Sequence, residues 1–403
     1  MEPSIPEVWQ AQFATLDTSD PEYAVQAVER FLGLGRRLGA SDIHLQPTAE
    51  GLELKLRLDG VLQQVGRFPA PLAGNVVARL KVLADLLTYR TDVPQEGRIR
   101  EPGSDVEMRV STFPTLFGER AVVRLFAGAR RFQRLDDLGF PDDVLAALRT
   151  LLGETSGVIL ATGPAGSGKT TTIYACLREL AAWSSGTRSL VSIEDPIEVA
   201  VPGVAQAQVN PVAQLDLATG LRFLLRQDPE VILVGEVRDR ATAEAAFQAS
   251  LTGHLLLSTF HAGSAAEAIG RLSDMGIEPY LLRSGLLAIL CQRLLRSLCA
   301  CSRPTDDPAA RLGLPVERVR LPVGCPACGM TGYRGRFVLV EMLTAQRTEL
   351  GRAILSRSDA ASLHHLAVQA GMIDRWQRAY QAVRDGRTSP AEVRRALGFA
   401  DPV

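Results

Sequence analysis

The spacing of apolar residues first indicates a small mixed domain. The stretch PEYAVQAVERFLGLGRRLG (21–39) has apolar residues at helical spacing, whereas LELKLRL (52–58), VLQQVGRF (61–68) and DVEMRVSTF (105–113) alternate as half-buried strands do. This pattern predicts an α+β domain over residues 21–127, preceded by an N-terminal tail at 1–20. The polar, Arg-rich stretch after it predicts a linker at 128–140.

From residue 157 onward the pattern changes to short, continuous apolar runs. These runs are GVILATG (157–163), SLVSIED (189–195), VILVGE (231–236) and HLLLSTF (254–260), and helical patterns such as TTIYACLRELAAW (171–183) and RATAEAAFQASLT (240–252) lie among them. Fully apolar strands that alternate with helices predict a mainly parallel sheet covered on both faces. We therefore expect an α/β domain at 141–403, with a helical region at 346–403.

Composition and charge narrow the class of protein. A chain of 403 residues exceeds one typical domain, and a formal charge of -1 gives no basic field that would indicate nucleic acid. No apolar run reaches the ~20 residues that span a bilayer, and the N-terminus does not have the pattern of a signal peptide. These observations favour a cytoplasmic protein, and they leave peripheral attachment to a membrane protein open.

The segment GPAGSGKT (163–170) matches the P-loop pattern G-x-x-x-x-G-K-[ST] and stands between an apolar run and a helical stretch. In this context the backbone N–H groups converge on phosphate oxygens, Lys169 reaches the β/γ-phosphates and the Thr170 hydroxyl serves Mg²⁺. The alternative is a Gly-rich turn with no ligand. We assign nucleotide contacts to Gly163, Pro164, Ala165, Gly166, Ser167, Gly168, Lys169, Thr170 and Thr171.

Three further strand ends carry polar residues. Glu194 and Asp195 follow one strand, Glu236 ends another, and Thr259 and His261 close a third. Ligands of open α/β sheets lie beyond the carboxyl ends of the strands, so these residues are candidate acid, base and phosphate-sensing groups. The strand VILVGE ends in Gly-Glu where an Asp that helps to hold Mg²⁺ is expected, which leaves a damaged metal site, a differently built site and a plain turn as alternatives.

Six segments together resemble the secretion-superfamily ATPases, which drive type II secretion and type IV pilus assembly. They are ASDIHLQP (40–47), GPAGSGKTTTIYACL (163–177), SIEDPIE (192–198), LRQDPEVILVGEVRD (225–239), TGHLLLSTFHAG (252–263) and GCPACGMTGYRGR (324–336). The resemblance runs from about residue 40 to residue 398. It implies a RecA-like P-loop ATPase core, a preceding PAS-like domain, a C-terminal cysteine and helical module, and a homohexamer. Only about forty residues precede it, which puts in doubt a long N-terminal domain that docks onto a membrane protein.

The resemblance also implies roles for the strand-end residues. Glu236 would polarise the attacking water, Glu194 and Asp195 would organise the magnesium shell, and His261 would read the γ-phosphate. On this reading Thr170 and the acidic pair serve the metal, so that Glu236 is free to act on water. His254 is a second sensor candidate, with a purely structural histidine as the alternative.

Arginines of the first domain lie in segments that resemble those covering the nucleotide in the family. The matching positions are Arg98, Arg109 and Arg124, and a guanidinium can grip phosphate oxygens bidentately. The alternative is that these arginines face solvent from a half-buried sheet. The family usually has Asp where this chain has Glu96.

Four of the six cysteines lie within thirty residues, which favours metal over disulfides in a cytoplasmic chain. Cys325 and Cys328 form a CxxC pair, but Cys299 and Cys301 are one residue closer together than x₂ spacing requires. The secretion and pilus-assembly branches of the family have a tetracysteine zinc site here, whereas retraction motors lack it. We therefore expect Zn²⁺ on Cys299, Cys301, Cys325 and Cys328 within a module at 296–340. Cys176 and Cys291 lie on helical patterns and are expected to be buried thiols.

These features predict a Mg²⁺-dependent ATPase that powers pilus or pseudopilus assembly or secretion, with ATP, Mg²⁺ and Zn²⁺ as ligands. Its expected partners are an inner-membrane platform and other membrane proteins of such a system, at the cytoplasmic face, with no nucleic acid. The alternatives are a RecA-like motor that translocates nucleic acid, a pilus-retraction ATPase and a scaffold that binds nucleotide without hydrolysing it. Lys169, Thr170 and Glu236 count against the scaffold.

Overall fold

The computed structural model describes residues 9, 11–100, 107–125, 132–345 and 348–399. Parts of the predicted tail (1–8 and 10), of the linker (128–131) and of the C-terminal region (346–347 and 400–403) lie outside these residues. The chain divides into two compact units. The first comprises Met1–Arg130, Leu298–Arg303 and Leu321–Gly335, and the second comprises Arg131–Ser297, Pro304–Arg320 and Arg336–Val403.

The first unit is built on a six-stranded antiparallel sheet with strand order β3-β2-β1-β6-β5-β4. Its elements are α1 Tyr23–Arg37, β1 Asp42–Thr48, β2 Gly51–Leu58, β3 Val61–Pro69, α2 Ala73–Leu83, β4 Gln95–Arg100, β5 Glu107–Thr115 and β6 Gly118–Leu125. The predicted helix and strands of the α+β domain are therefore confirmed. The strand alternation has its physical reason in the core, because alternate residues such as Leu54 and Leu56 pack with Phe31 of α1 and Leu80 of α2.

The second unit contains a seven-stranded sheet with order β15-β12-β7-β11-β10-β8-β9, in which the pairs from β12 to β9 are parallel. From residue 142 onward the elements of the chain are α3 Asp142–Leu152, β7 Gly157–Thr162, α4 Lys169–Ser184, β8 Leu190–Glu194, β9 Ala205–Gln208, α5 Leu217–Leu224, β10 Val231–Glu236, α6 Arg240–Ser250, β11 Leu255–Phe260, α7 Ala265–Asp274, α8 Pro279–Gly285, β12 Leu286–Leu298, the short pair β13 Arg303–Thr305 and β14 Val319–Leu321, β15 Tyr333–Thr344, α9 Thr348–Leu355, α10 Ala360–Gln369, α11 Arg375–Arg384 and α12 Pro390–Leu397.

Helices cover both faces of this sheet, as the continuous apolar strands predicted. Leu160 and Val234 face a core that includes Phe247 of α6 and Ile269 of α7. Their strand neighbours point the other way, where residues such as Leu233 pack with α3 and α4. A parallel strand buried on both faces carries few polar residues until its end, so the functional groups collect at the carboxyl edge.

Two features differ from the sequence-based expectations. Cys291 lies in the 13-residue strand β12, not in a helix, because a continuous apolar run fits a buried strand as well as a buried helix. The two cysteine-bearing segments belong to the first compact unit, whereas the predicted boundaries placed them with the ATPase domain. Among the described residues, no helix has the length and apolar character needed to cross a membrane.

Candidate nucleotide and zinc sites

The P-loop joins the end of β7 to the start of α4, with three glycines in conformations that other residues rarely adopt. The φ angles of Gly163, Gly166 and Gly168 are 142°, 73° and 94°. A Cβ atom at Gly163 would lie 2.4 Å from the Gln292 carbonyl oxygen, so only glycine fits there. The loop ends at the N-terminus of α4, which favours anions.

Two side chains of the loop are buried and suited to phosphate. Lys169 Nζ donates to the carbonyls of Gly163 and Pro164, each at 3.0 Å. Burial lowers the pKa of Lys169, against the opposing charge of Glu236. Ser167 Oγ is buried and has no hydrogen-bond partner among the described residues. A buried hydroxyl without a partner fits a site whose missing acceptor is a phosphate oxygen.

The end of β10 approaches the end of β8 closely, and this explains why a glycine precedes Glu236. A Cβ atom at Gly235 would lie 3.3 Å from the Cα atom of Glu194. Thr259 Oγ1 donates to the Gly235 carbonyl at 2.8 Å, which ties this strand end to β11. The register of β10 against β11 also shifts between Val234 and Glu236. The Gly-Glu ending is therefore a packed, irregular strand end.

The Glu236 side chain is 16% exposed and lies beside Arg238 and His261. Arg238 Nε donates to Glu236 Oε2 at 2.6 Å, and His261 Nε2 lies 2.6 Å from Oε1. The approach of His261 does not have hydrogen-bond geometry, so Oε1 keeps acceptor capacity for a further donor such as water. The structure thus brings together the predicted base and the predicted sensor.

Glu194 is buried and held by three hydrogen bonds, an arrangement that the sequence did not indicate. Tyr174 of α4 donates through its hydroxyl to Oε2, and Ser192 and Gln206 donate to Oε1 at 2.6 and 3.0 Å. The Tyr174 hydroxyl also accepts from the Glu198 N–H at 3.2 Å. Burial and the Glu194 carboxylate raise the pKa of Tyr174. Because both carboxylate oxygens are occupied, Asp195 is the freer ligand of the pair.

Thr170, Asp195 and Glu236 line one small cavity of about 110 Å³, with Glu194, Arg238 and Thr259 in the same wall. Asp195 Oδ2 is 3.9 Å from Arg238 Nη1, and its side chain is about half exposed. A hydroxyl and a carboxylate of this kind are the oxygen ligands that Mg²⁺ prefers. These residues therefore fit a magnesium ion.

His254 lies at the other edge of the sheet from His261. It precedes β11, and its Nδ1 lies 3.0 Å from the Ala249 carbonyl oxygen and 3.1 Å from Thr252 Oγ1. The six-residue strand between the two histidines spans about 20 Å. These local contacts agree with the structural alternative for His254.

The predicted arginines of the first unit form one row across its sheet. The cross-strand partners are Arg98 with Arg109 and Arg109 with Arg124. Asp42 follows opposite Arg124, and Arg57 lies opposite Asp42. The Asp42 carboxylate contacts both neighbours, at 3.1 Å to Arg124 Nε and 3.3 Å to Arg57 Nε.

Such a row places like charges directly opposite one another, which destabilises a sheet in isolation. Glu96 Oε1, at 3.7 Å from Arg109 Nε, supplies a second counter-charge. Sequence analysis did not single out Arg57, because strand register cannot be derived from alternation alone. The row therefore carries four guanidinium groups and two carboxylates.

The four clustered cysteines converge on one point. Their sulfur atoms lie within 4.8 Å of one another. Three of the separations are 3.8 Å (Cys299 to Cys325), 3.9 Å (Cys301 to Cys328) and 3.7 Å (Cys325 to Cys328). A tetrahedral zinc with Zn–S bonds of about 2.3 Å requires sulfur separations of about 3.8 Å. The short Cys299-x-Cys301 spacing is therefore compatible with tetrahedral zinc geometry.

Backbone groups also favour the thiolate form within this cluster. The N–H groups of Cys325 and Gly332 each lie 3.2 Å from Cys328 Sγ. Although burial alone would raise it, these donors lower the pKa of Cys328 to about 7. A site with N–H groups directed at its sulfur atoms is typical of thiolate-metal centres.

Comparisons with known proteins match most of the chain. A sequence model of the family described as "Type II/IV secretion system protein" matches residues 19–395. Type II secretion system protein E of Pectobacterium carotovorum subsp. carotovorum is 44% identical over 351 residues, which cover 85% of this chain and 70% of that protein. The type IV pilus assembly ATPase PilB of Thermus thermophilus is 39% identical over 344 residues, 83% of this chain and 38% of PilB.

A solved structure shows the same fold. The crystal structure of the pilus retraction motor PilT with bound ADP has a TM-score of 0.62 and 26% identity, and covers 93% of this chain and 97% of the PilT chain. The predicted RecA-like P-loop ATPase core is thereby confirmed. The chain belongs to the type II/IV secretion system protein family, and it is an ATPase of that family.

Proposed function

We propose that this ATPase is a Mg²⁺-dependent motor that powers pilus or pseudopilus assembly, or protein secretion, from the cytoplasmic face of a membrane. The observation that carries the proposal is the cavity in which Thr170, Asp195 and Glu236 meet beside the P-loop. Relatives that serve secretion and pilus assembly support the cellular role. A homohexamer that acts on a membrane platform protein is the finer part of the proposal.

In the hydrolytic step Glu236 accepts a proton from the attacking water. Its Oε1 atom has free acceptor capacity, and Arg238 fixes the other oxygen. Lys169 stabilises charge on the phosphate oxygens that develops in the transition state. His261, 2.6 Å from Glu236, senses the γ-phosphate through the same carboxylate.

Thr170 and Asp195 would hold the magnesium ion, and Glu194, the residue before Asp195, is fixed by the buried hydrogen-bond network. Mg²⁺, when bound, would neutralise charge on the phosphate oxygens. Asp195, which directly follows β8, then takes the place of the missing strand-end Asp, and Glu236 at the end of β10 is the base.

Arg98, Arg109 and Arg124 supply the cationic clamp on the phosphates, supported by Asp42 and Arg57 in the same row. A guanidinium is always charged and binds phosphate oxygens bidentately, which is the chemistry that such a clamp requires. Cys299, Cys301, Cys325 and Cys328 would hold a structural Zn²⁺, because four sulfur ligands would leave no open coordination position.

Two of the alternatives, the nucleic-acid motor and the non-hydrolysing scaffold, make different predictions in one assay. Phosphate release by the purified chain is measured with ATP and Mg²⁺, with and without single- and double-stranded DNA, beside Lys169→Ala. We expect hydrolysis that DNA does not change and that Lys169→Ala abolishes. Stimulation of several-fold by DNA would support the nucleic-acid motor instead, and no hydrolysis under any condition would support the scaffold.

A further inference from the structure

The loop that follows β11, residues 261–264, is held by side chains of the adjacent helix α7 and of two distant elements, β12 and α11. The Gly263 carbonyl accepts from Arg293 Nη2 at 2.8 Å and from Arg375 Nη1 at 2.5 Å. The Gly263 N–H donates to Glu267 Oε2 at 2.7 Å. Arg271 donates to the His261 carbonyl. Four hydrogen bonds to side chains therefore fix the backbone of this loop.

Glu341, a fully buried residue of β15, joins this loop to the C-terminal helices. Its Oε1 atom accepts from the Ala265 N–H at the start of α7, at 2.9 Å. Its Oε2 atom accepts from the Arg375 N–H at the start of α11, at 3.1 Å. The Arg375 guanidinium then reaches back to the loop. One carboxylate and one arginine therefore clamp the loop between two helix N-termini.

Burial of a carboxylate costs free energy unless it is paired and hydrogen-bonded. Glu341 meets that condition through the N–H groups of two helix starts and Arg375 Nη1 at 3.9 Å. An apolar side chain could fill the same space, but it could not direct the loop. The loop begins at His261, whose Nε2 atom lies 2.6 Å from Glu236.

From these contacts we infer that Glu341 and Arg375 are positioning residues for ATP hydrolysis. They hold the 261–264 loop so that His261 meets Glu236, and they make hydrolysis depend on the placement of α11. The inference rests on the proposed function, because it assigns these two residues to the same site. It adds a route by which a partner that moves the C-terminal helices changes turnover.

The first test removes the negative charge of Glu341 and keeps the shape of its side chain. In Glu341→Gln, the amide group cannot accept at both positions, so either Ala265 or Arg375 loses its partner. We expect kcat for ATP hydrolysis to fall on the order of tenfold, with the KM for ATP within about twofold of the parent. The matched control is Glu392→Gln, because Glu392 is also fully buried and accepts from the Arg296 N–H at 2.9 Å.

A second variant tests the same inference independently, in case Glu341→Gln does not fold. Arg375→Ala removes the guanidinium from the Gly263 carbonyl, and the Asp374 cap of α11 stays in place with its bond to Trp376 N at 2.7 Å. We expect kcat to fall in Arg375→Ala as well, and to recover in part in Arg375→Lys. In a His261→Ala background, Glu341→Gln should cause little further loss, because the group that the loop positions is already absent.

The outcomes separate the inference from the function on which it rests. A parent chain that does not hydrolyse ATP contradicts the proposed function itself. An active parent with equal losses in Glu341→Gln and Glu392→Gln, in proportion to thermal stability, contradicts only the positioning role. If the losses in kcat caused by Glu341→Gln and His261→Ala simply add in the double variant, the positioning role is contradicted as well.

Discussion

Tyr174 shows how a single hydroxyl links the phosphate helix to the acidic strand end. It lies on α4, five residues after Lys169, and donates to Glu194 while it accepts from the Glu198 N–H. The sequence indicated Glu194 as a candidate functional residue because it ends an apolar strand, and the family resemblance implied a role in organising the magnesium shell. It could not show that three donors already occupy the carboxylate, because Gln206 and Tyr174 reach it from other elements.

Removal of this hydroxyl should lower the stability of the protein. In Tyr174→Phe, a buried carboxylate oxygen loses a donor, which we expect to cost about 1–3 kcal/mol in the free energy of unfolding. Denaturant unfolding of the purified variant measures it. Tyr280→Phe, at an exposed site, is the control and should be neutral. An unchanged unfolding free energy in Tyr174→Phe would contradict the network.

At the scale of elements, the close approach of β10 to β8 forms the catalytic edge. We expect Gly235→Ala to push the strand end away from Glu194, because the added Cβ would lie 3.3 Å from the Glu194 Cα atom. Overpacking of this kind costs about 1–3 kcal/mol, and turnover should fall more than ATP binding. Gly270→Ala in α7 is the control, since no heavy atom lies within 4 Å of that Cβ position. Equal activity of the two variants would contradict the packed strand end.

A further prediction at the scale of elements concerns the zinc content of the cysteine cluster. Elemental analysis should find about one zinc per chain, and Cys325→Ser should lose it together with thermal stability, since four sulfur ligands hold the ion. Cys176→Ala removes a buried thiol outside the cluster and should keep the zinc. Purified parent protein without zinc would contradict the assignment.

The elements differ in how well the sequence predicts them. The strands β7, β8, β10 and β11 were predictable because a parallel strand buried on both faces is a continuous apolar run. The strand β12 was not, since LLAILCQ has no periodicity that separates a buried strand from a helix. Motif spacing located the P-loop and Glu236. The contacts of Glu341 and Arg57 arise from long-range packing and strand register, which one sequence does not specify.

At the scale of the whole molecule, the proposed hexamer predicts an assembly of six times the chain mass of 43.5 kDa. We expect ATP to favour it, because a ligand that binds the assembled state shifts the equilibrium toward that state. Light scattering after size exclusion, with and without a non-hydrolysable ATP analogue, measures the mass. A monomer under all conditions, in a chain that still hydrolyses ATP, would contradict the oligomeric part of the proposal.

The central claim is that Glu236 activates the water while other residues bind the nucleotide. Equilibrium binding of ATP and single-turnover hydrolysis in Glu236→Gln test it most directly, because the amide keeps the contact volume and loses the basicity. We predict ATP affinity within a few-fold of the parent and a loss of turnover of about 10³-fold or more. Near-parental turnover with unchanged affinity would contradict the account.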